Sequence, residues 1–229
     1  MVQIRMEKLI SGLMKFQREV FPLKKELFER LASDQKPSTL FITCADSRVV
    51  PDLFTQSEPG EIFVIRNAGN IVPAYGRLMG GVTATIEFAI AVLGVKHVVI
   101  CGHTDCGAMK ALLHPEKLVD VPAVASWLDQ AEATRRVVMD NYKDQDEPAL
   151  INALIRENIL VQLQNLQTHP IVLSALARGE LKLYGWIYNI GTGDVESFDA
   201  EKQRFIRIDG SYPPHATPVV RLKHEAPSD

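Results

Sequence analysis

The sequence predicts an α/β fold, a mainly parallel central sheet flanked by helices, with an N-terminal helical arm and a C-terminal strand or hairpin. Three observations carry the prediction. Short apolar runs at 39–43, 62–66 and 96–101 alternate with stretches of helical periodicity, and such alternation implies crossover connections and parallel strands. Residues 2–33 repeat apolar side chains at helical spacing before the first strand begins. Past residue 180 a strand-like run, 181–190, meets the turn Gly191-Thr192-Gly193-Asp194, after which 203–208 can pair back as a hairpin.

Each element has its own justification. Met6, Leu9, Ile10, Leu13, Phe16 and Val20 form the first stripe of the arm. Pro22 should interrupt it, since proline lacks the N–H a helix interior needs, and Leu23, Leu27, Phe28 and Leu31 start a second stripe. An apolar stripe ahead of the first strand needs a surface to cover, and a partner chain can provide one. Gly80-Gly81 precede a helix over 83–93, with Gly94 placed as its C-cap. A helix is expected to start at 108–113, followed by long helical patterns at 122–141 and 147–168 and a short helix ending at Arg178. The tail from Ser211 holds Pro213, Pro214, Pro218 and Pro227 and reads as extended, irregular chain. No internal repeat or linker intervenes, so 1–229 is expected to be one domain, with 1–33 as its arm and 211–229 as its tail.

Composition narrows the function classes. The 229 residues are 46% hydrophobic and 23% charged, an ordinary globular balance. A net charge of −3 with no Lys/Arg-rich run argues against a nucleic-acid partner. The longest nearly unbroken apolar run, 88–95, falls far short of the roughly 20 residues that span a bilayer. Arg5, Glu7, Lys8, Lys15, Arg18 and Glu19 leave no signal-peptide core near the start. Only three cysteines occur, Cys44, Cys101 and Cys106, too few for a disulfide framework. A reduced, cytoplasmic protein without membrane or nucleic-acid partners is expected, its thiols available for metal or catalysis.

Two stretches carry the chemistry. In "FITCADSRVVPDL" (41–53) an apolar run ends in Cys44, Asp46 and Arg48, and in "VVICGHTDCGAM" (98–109) another ends in His103 and Cys106. Ligands in open parallel sheets bind beyond the carboxyl ends of the strands, so both motifs can reach one crevice. Two thiolates and an imidazole suit zinc, and three protein ligands leave a fourth position open, as in catalytic zinc sites. Asp46 is either that fourth ligand or the partner of Arg48, whose forked donors hold a carboxylate in a fixed orientation. Taken singly, Cys44 reads as a small core residue and His103 as a turn residue; the convergence of both motifs favours a site. Cys101 lies inside its strand and reads as core filler. His97, His114, His169, His215 and His224 have no partner motif. Residue 50 is Val, where a cysteine phosphatase needs arginine, and no dinucleotide fingerprint or P-loop is present.

On "CADSRVVP", "GEIFVIRNAGNIVP" and "ICGHTDCGAM", the sequence resembles a β-class carbonic anhydrase over nearly its whole length, close to bacterial cyanate-associated and to cyanobacterial forms. The resemblance implies one zinc per chain on Cys44, His103 and Cys106, with Asp46 and Arg48 as a catalytic dyad and Asp46 a fourth ligand only in a closed state. It implies reversible hydration of CO2 to bicarbonate and a proton, by attack of a zinc-bound hydroxide. Gln35, the backbone N–H of Gly107, and Phe63 and Ala68 as apolar lining are the implied substrate contacts. It also implies a homo-oligomer, a dimer or dimer of dimers, whose arm lies over the neighbouring subunit. Departures are Ala45 for the usual serine, Phe88 for a tyrosine and Leu93 for a shuttle histidine in some relatives, so no proton shuttle is assigned. Phe41 replaces the tryptophan of regulated relatives, which favours the open state with Asp46 on Arg48. Two other readings share these residues: a structural zinc protein in which Asp46 permanently closes the site, and an enzyme acting on another heterocumulene such as carbon disulfide.

Overall fold

The computed structural model describes residues 6–210. The expected irregular tail at 211–229 therefore lies outside the described residues. The chain divides into two units, Met1–Lys36 and Pro37–Asp229.

In the first unit, α1 (Met6–Lys15) runs into a π-helical turn, Phe16–Val20, and then a 3-10 turn, Pro22–Lys24, before α2 (Lys25–Leu31). The interruption expected at Pro22 takes this form: Phe21 N–H reaches back to Phe16 O at 2.8 Å, and Pro22 opens the next turn, where its missing N–H costs nothing. Phe16, Phe21 and Phe28 cluster with ring centroids 5.3–6.1 Å apart. No residue of these helices is buried within the chain, and Met6, Leu9, Ile10 and Leu13 are all at least half exposed.

The second unit is built on a six-stranded sheet in the order β2-β1-β3-β4-β5-β6. Its strands are β1 (Thr39–Cys44), β2 (Ile62–Asn67), β3 (His97–His103), β4 (Lys182–Tyr188), β5 (Val195–Asp199) and β6 (Arg204–Arg207). The first four are mutually parallel, β5 adds antiparallel to β4, and β6 adds antiparallel to β5. The helices are α3 (Pro51–Thr55), α4 (Gly81–Glu87, continued as a π turn to Val92), α5 (Gly107–Leu113), α6 (Pro122–Leu128), α7 (Glu132–Tyr142), α8 (Glu147–Gln167) and α9 (Pro170–Ala177).

Three expectations need correction. The strand facing 181–190 across the 191–194 turn is β5, not 203–208; β6 pairs with β5 instead. The pattern at 122–141 is two helices, divided by a 3-10 turn at Asp129–Ala131 that keeps Leu128 and Ala131 in the core as the chain redirects. The third strand extends to His103, which is its last residue rather than the one after it.

Helix α8 is the main cover of one sheet face. Ile155, Ile159 and Leu163 pack where β3 and β4 carry glycines: a Cβ at Gly102 would lie 3.1 Å from Ile159 Cδ1, and one at Gly185 only 2.7 Å from Ile159 Cγ2. The opposite face holds Phe41, Val99 and Cys101, with Phe54 of α3 stacked on Tyr188 at 4.5 Å. The carboxyl ends of neighbouring β1 and β3 open at the same edge, so Cys44 and His103 finish adjacent strands.

Candidate metal centre

Cys44 closes β1, His103 closes β3, and Cys106 caps the N-terminus of α5 after a tight turn through Asp105, a non-glycine residue at φ +59. The ligand atoms of all three residues lie within 4.8 Å of one another, and all three side chains are buried. Cys44 Sγ and Cys106 Sγ are 4.0 Å apart. Two sulfurs on a tetrahedral ion with bonds of about 2.3 Å would sit about 3.8 Å apart.

The chemistry of this donor set fits a cation. His103 Nδ1 is 2.9 Å from the Thr104 carbonyl, to which it can only donate, so Nε2 carries a lone pair. That Nε2 is buried and has no hydrogen-bond partner. A buried acceptor left so is costly unless something positive fills the place. The sulfurs say the same. Cys106 beside Cys44, with the Gly69 N–H 3.4 Å from its sulfur, favours loss of a first proton from the pair. The thiolate so formed, with burial, pushes the second thiol up, so two thiolates here need a cation between them.

Asp46 lies just beyond Cys44. Its Oδ1 accepts from Arg48 N (2.9 Å) and Nε (3.0 Å), and its Oδ2 from Nη2 (2.8 Å). The Arg48 guanidinium holds the Asp46 carboxyl well below the usual carboxylate range. Oδ2 is 3.9 Å from His103 Nε2, so this carboxylate borders the candidate metal ligands while remaining on the arginine. Arg48 is itself braced, donating from Nη1 to Asp105 Oδ2 at 2.9 Å and from Nη2 to Asp105 O at 3.1 Å. Lys110 holds the other Asp105 oxygen.

The sequence profile of the carbonic anhydrase family matches residues 39–195, a span that contains this whole cluster. The chain belongs to the carbonic anhydrase family. Curated carbonic anhydrases from Pseudomonas aeruginosa and Synechococcus elongatus are 50% identical over 203 residues and 51% identical over 191. The alignments cover 89% and 83% of this chain, and 92% and 70% of those proteins. The solved structure of the β-carbonic anhydrase CcaA superposes with a TM-score of 0.87 at 48% identity, covering 89% of this chain and 99% of that one. The resemblance to β-class, bacterial and cyanobacterial forms stands on these matches.

In this carbonic anhydrase the remaining predicted residues fall as follows. Ala68 follows β2 in a 3-10 turn, exposed, its carbonyl accepting from Trp127 Nε1 at 2.8 Å. Gly107 is the exposed first residue of α5. Phe63 is half-buried in β2, its ring 6.1 Å from that of Phe88. Gln35 is exposed at the end of the arm unit. Phe41 is buried against Phe54 and Trp186. Cys101 is buried and its thiol is pushed up to about 12 by that burial, in keeping with a core residue.

The sequence reading missed several supports. Arg66, the β2 partner of Thr43, donates to Cys44 O at 3.1 Å and to Asp46 O at 2.6 Å, stiffening the stretch that bears Cys44 and Asp46. Asp105 lies inside the second motif, between His103 and Cys106. Its positive φ, which Asp tolerates better than most residues, is the signal that its place in the turn was special.

Proposed function

We propose that this carbonic anhydrase interconverts CO2 and water with bicarbonate and a proton on a zinc ion held by Cys44, His103 and Cys106. The observation that carries the reading is the buried, unpartnered His103 Nε2 set among two cysteine sulfurs. Held by Cys44, His103 and Cys106, a zinc ion would lower the pKa of a bound water and so supply a nucleophile at neutral pH.

The protein's own residues do the rest. Asp46, kept ionised by Arg48, accepts a hydrogen bond at Oδ2 from the attacking oxygen and turns that oxygen's lone pair towards the carbon. Because the carboxylate can only accept, the position beside it selects a molecule with an O–H to give. Asp46 serves as a fourth ligand only if it leaves Arg48, and its two-point hold on the guanidinium supports the open arrangement at rest. Phe63 and Ala68 give an uncharged wall suited to CO2, while the Gly107 N–H, and Gln35 reaching across a subunit interface, donate to the oxygens of CO2 or bicarbonate.

The working assembly is a homodimer or dimer of dimers. The bare apolar stripe of α1 supports this, since Met6, Leu9, Ile10 and Leu13 would otherwise face water. A cytoplasmic setting suits a site built on reduced thiols; all three cysteines are free. Among the described residues no helix is long and apolar enough to cross a membrane.

Stopped-flow CO2 hydration by the zinc-loaded protein, together with metal analysis, tests the reading. One zinc per chain and rapid hydration are expected, with zinc lost in Cys44→Ala and His103→Ala. Full zinc occupancy in either variant would overturn the ligand assignment.

A further inference from the structure

Segment 69–75 runs from the end of β2 past the metal centre without belonging to any strand, yet its backbone is held at nearly every step. Asn67 holds both backbone groups of Ile71, and the other side-chain partners belong to α8 and the residues just after it. Asn158 Nδ2 donates to Gly69 O at 2.9 Å, Val72 N–H donates to Gln162 Oε1 at 2.8 Å, and Asn165 Nδ2 donates to Val72 O at 2.9 Å. Tyr75 N–H donates to Thr168 Oγ1 at 2.8 Å, and His169 Nε2 is 3.0 Å from Pro73 O. Gln162 Nε2 also donates to Asn158 Oδ1 at 2.9 Å, which orients both amides. Asn158 and Gln162 are 1% and 0% exposed, deep in a helix face that otherwise carries Leu and Ile. Amides buried in a hydrophobic face are costly unless their hydrogen bonds are made, and here they are made to this segment.

Their strap ends at the residue that touches the ligand. Gly69 N–H lies 3.4 Å from Cys44 Sγ. Gly69 sits at φ +80, and a Cβ there would come within 3.1 Å of Met109 Cε and 3.2 Å of Ala108 Cβ, so glycine is required. Glycine is also the residue least able to hold its own dihedral angles. The direction of this N–H is therefore set by what grips the peptides on either side. Trp127 Nε1 holds the Ala68 carbonyl on one side, and Asn158, fixed by Gln162, holds the Gly69 carbonyl on the other.

We propose that Asn158 and Gln162 are positioning residues for Cys44: by fixing Gly69 they keep its N–H on the Cys44 sulfur and so set the orientation of that ligand. The inference rests on Cys44 being a metal ligand. Groups that orient a ligand without touching the metal commonly affect metal affinity by about 10–100-fold.

The test compares Asn158→Leu, nearly isosteric, with Thr168→Val, which removes a bond from the same segment near its far end. Zinc affinity is measured by chelator competition, the thiolate-to-metal charge-transfer band is recorded on the cobalt-substituted protein, and Tm is followed for each. Asn158→Leu is expected to bind zinc about 10–100-fold more weakly and to shift the cobalt band. Thr168→Val is expected to lower Tm while leaving affinity and band as in the wild type. If Asn158→Leu does not fold, Gln162→Met, which keeps the Asn158–Gly69 bond but frees the amide to swing, should show the same changes to a smaller degree. Wild-type affinity and spectrum in the folded Asn158 or Gln162 variant would overturn the proposal, as would an equal loss in Thr168→Val. A wild-type protein that holds no zinc or cobalt would instead overturn the ligand reading beneath it.

Discussion

The Arg48 guanidinium is shared between two aspartates, one beside the candidate metal ligands and one in the turn between His103 and Cys106. It cannot bind a metal, so its loss separates catalysis from metal binding. Arg48→Ala is expected to retain zinc and to lose about 100-fold or more in kcat/KM for CO2, because Asp46 is freed from the orientation that makes it useful. Stopped-flow hydration and metal analysis on one preparation would check both halves; unaltered kcat/KM would remove the dyad from the mechanism. At this scale Cys44, Asp46, Arg48, His103 and Cys106 were legible because each lies in a short motif at the end of an apolar run. Arg66, Gly69 and Asn158 were not. Their contacts with the site cross 20 to 89 positions of chain and run to backbone atoms, which leave no trace in residue spacing.

The elements were legible where their period was strong. The three apolar strands and α8 stand out, but α3 and β5 do not. Val195-Glu196-Ser197-Phe198-Asp199 carries two acidic residues and little β-propensity, and is held as a strand by ladders on both edges. Nor did the length of α8 disclose that one face would carry three amides in service of another segment. Its seating on the sheet relies on absent side chains. Gly185→Ala would place a methyl 2.7 Å from Ile159 Cγ2 and 3.0 Å from Leu163 Cδ1. Ile159 is β-branched and stiff, so α8 itself must shift. A loss of about 1–3 kcal/mol is expected in urea denaturation, with Gly102→Ala, whose closest contact is 3.1 Å, losing less.

For the whole molecule, acid stability depends on groups far from the dyad. His169 is buried, and burial depresses its pKa although its Nε2 donates to the Pro73 carbonyl. The unfolded chain binds a proton at this histidine near pH 6.5, whereas the folded chain resists it. Stability is thus complete above that pH and falls as pH drops below it, by up to about 1.4 kcal/mol per pH unit for this one group. Urea denaturation between about pH 5 and 8, a window bracketing the free histidine value, should show a shallower acid limb in His169→Gln than in the wild type. Identical limbs would assign the acid sensitivity elsewhere.

The closeness of the two site sulfurs also bears on how the protein survives handling. Cys44 and Cys106 are 4.0 Å apart, and a disulfide needs about 2.05 Å, so roughly 1 Å of movement from each sulfur would join them. One ionises readily, which makes the pair the part of the chain most open to oxidation once a chelator has stripped it, while Cys101 stays inert. Hydrogen peroxide would take both hydrogens as water and leave a bond where the ion belongs. Stripped protein exposed to peroxide and then unfolded should show one titratable thiol, and zinc-loaded protein all three. In that sense a bound ion would act as a preservative: a stock that loses it in the freezer is expected to age into a form that added zinc alone does not restore, and a thiol reductant would be needed first.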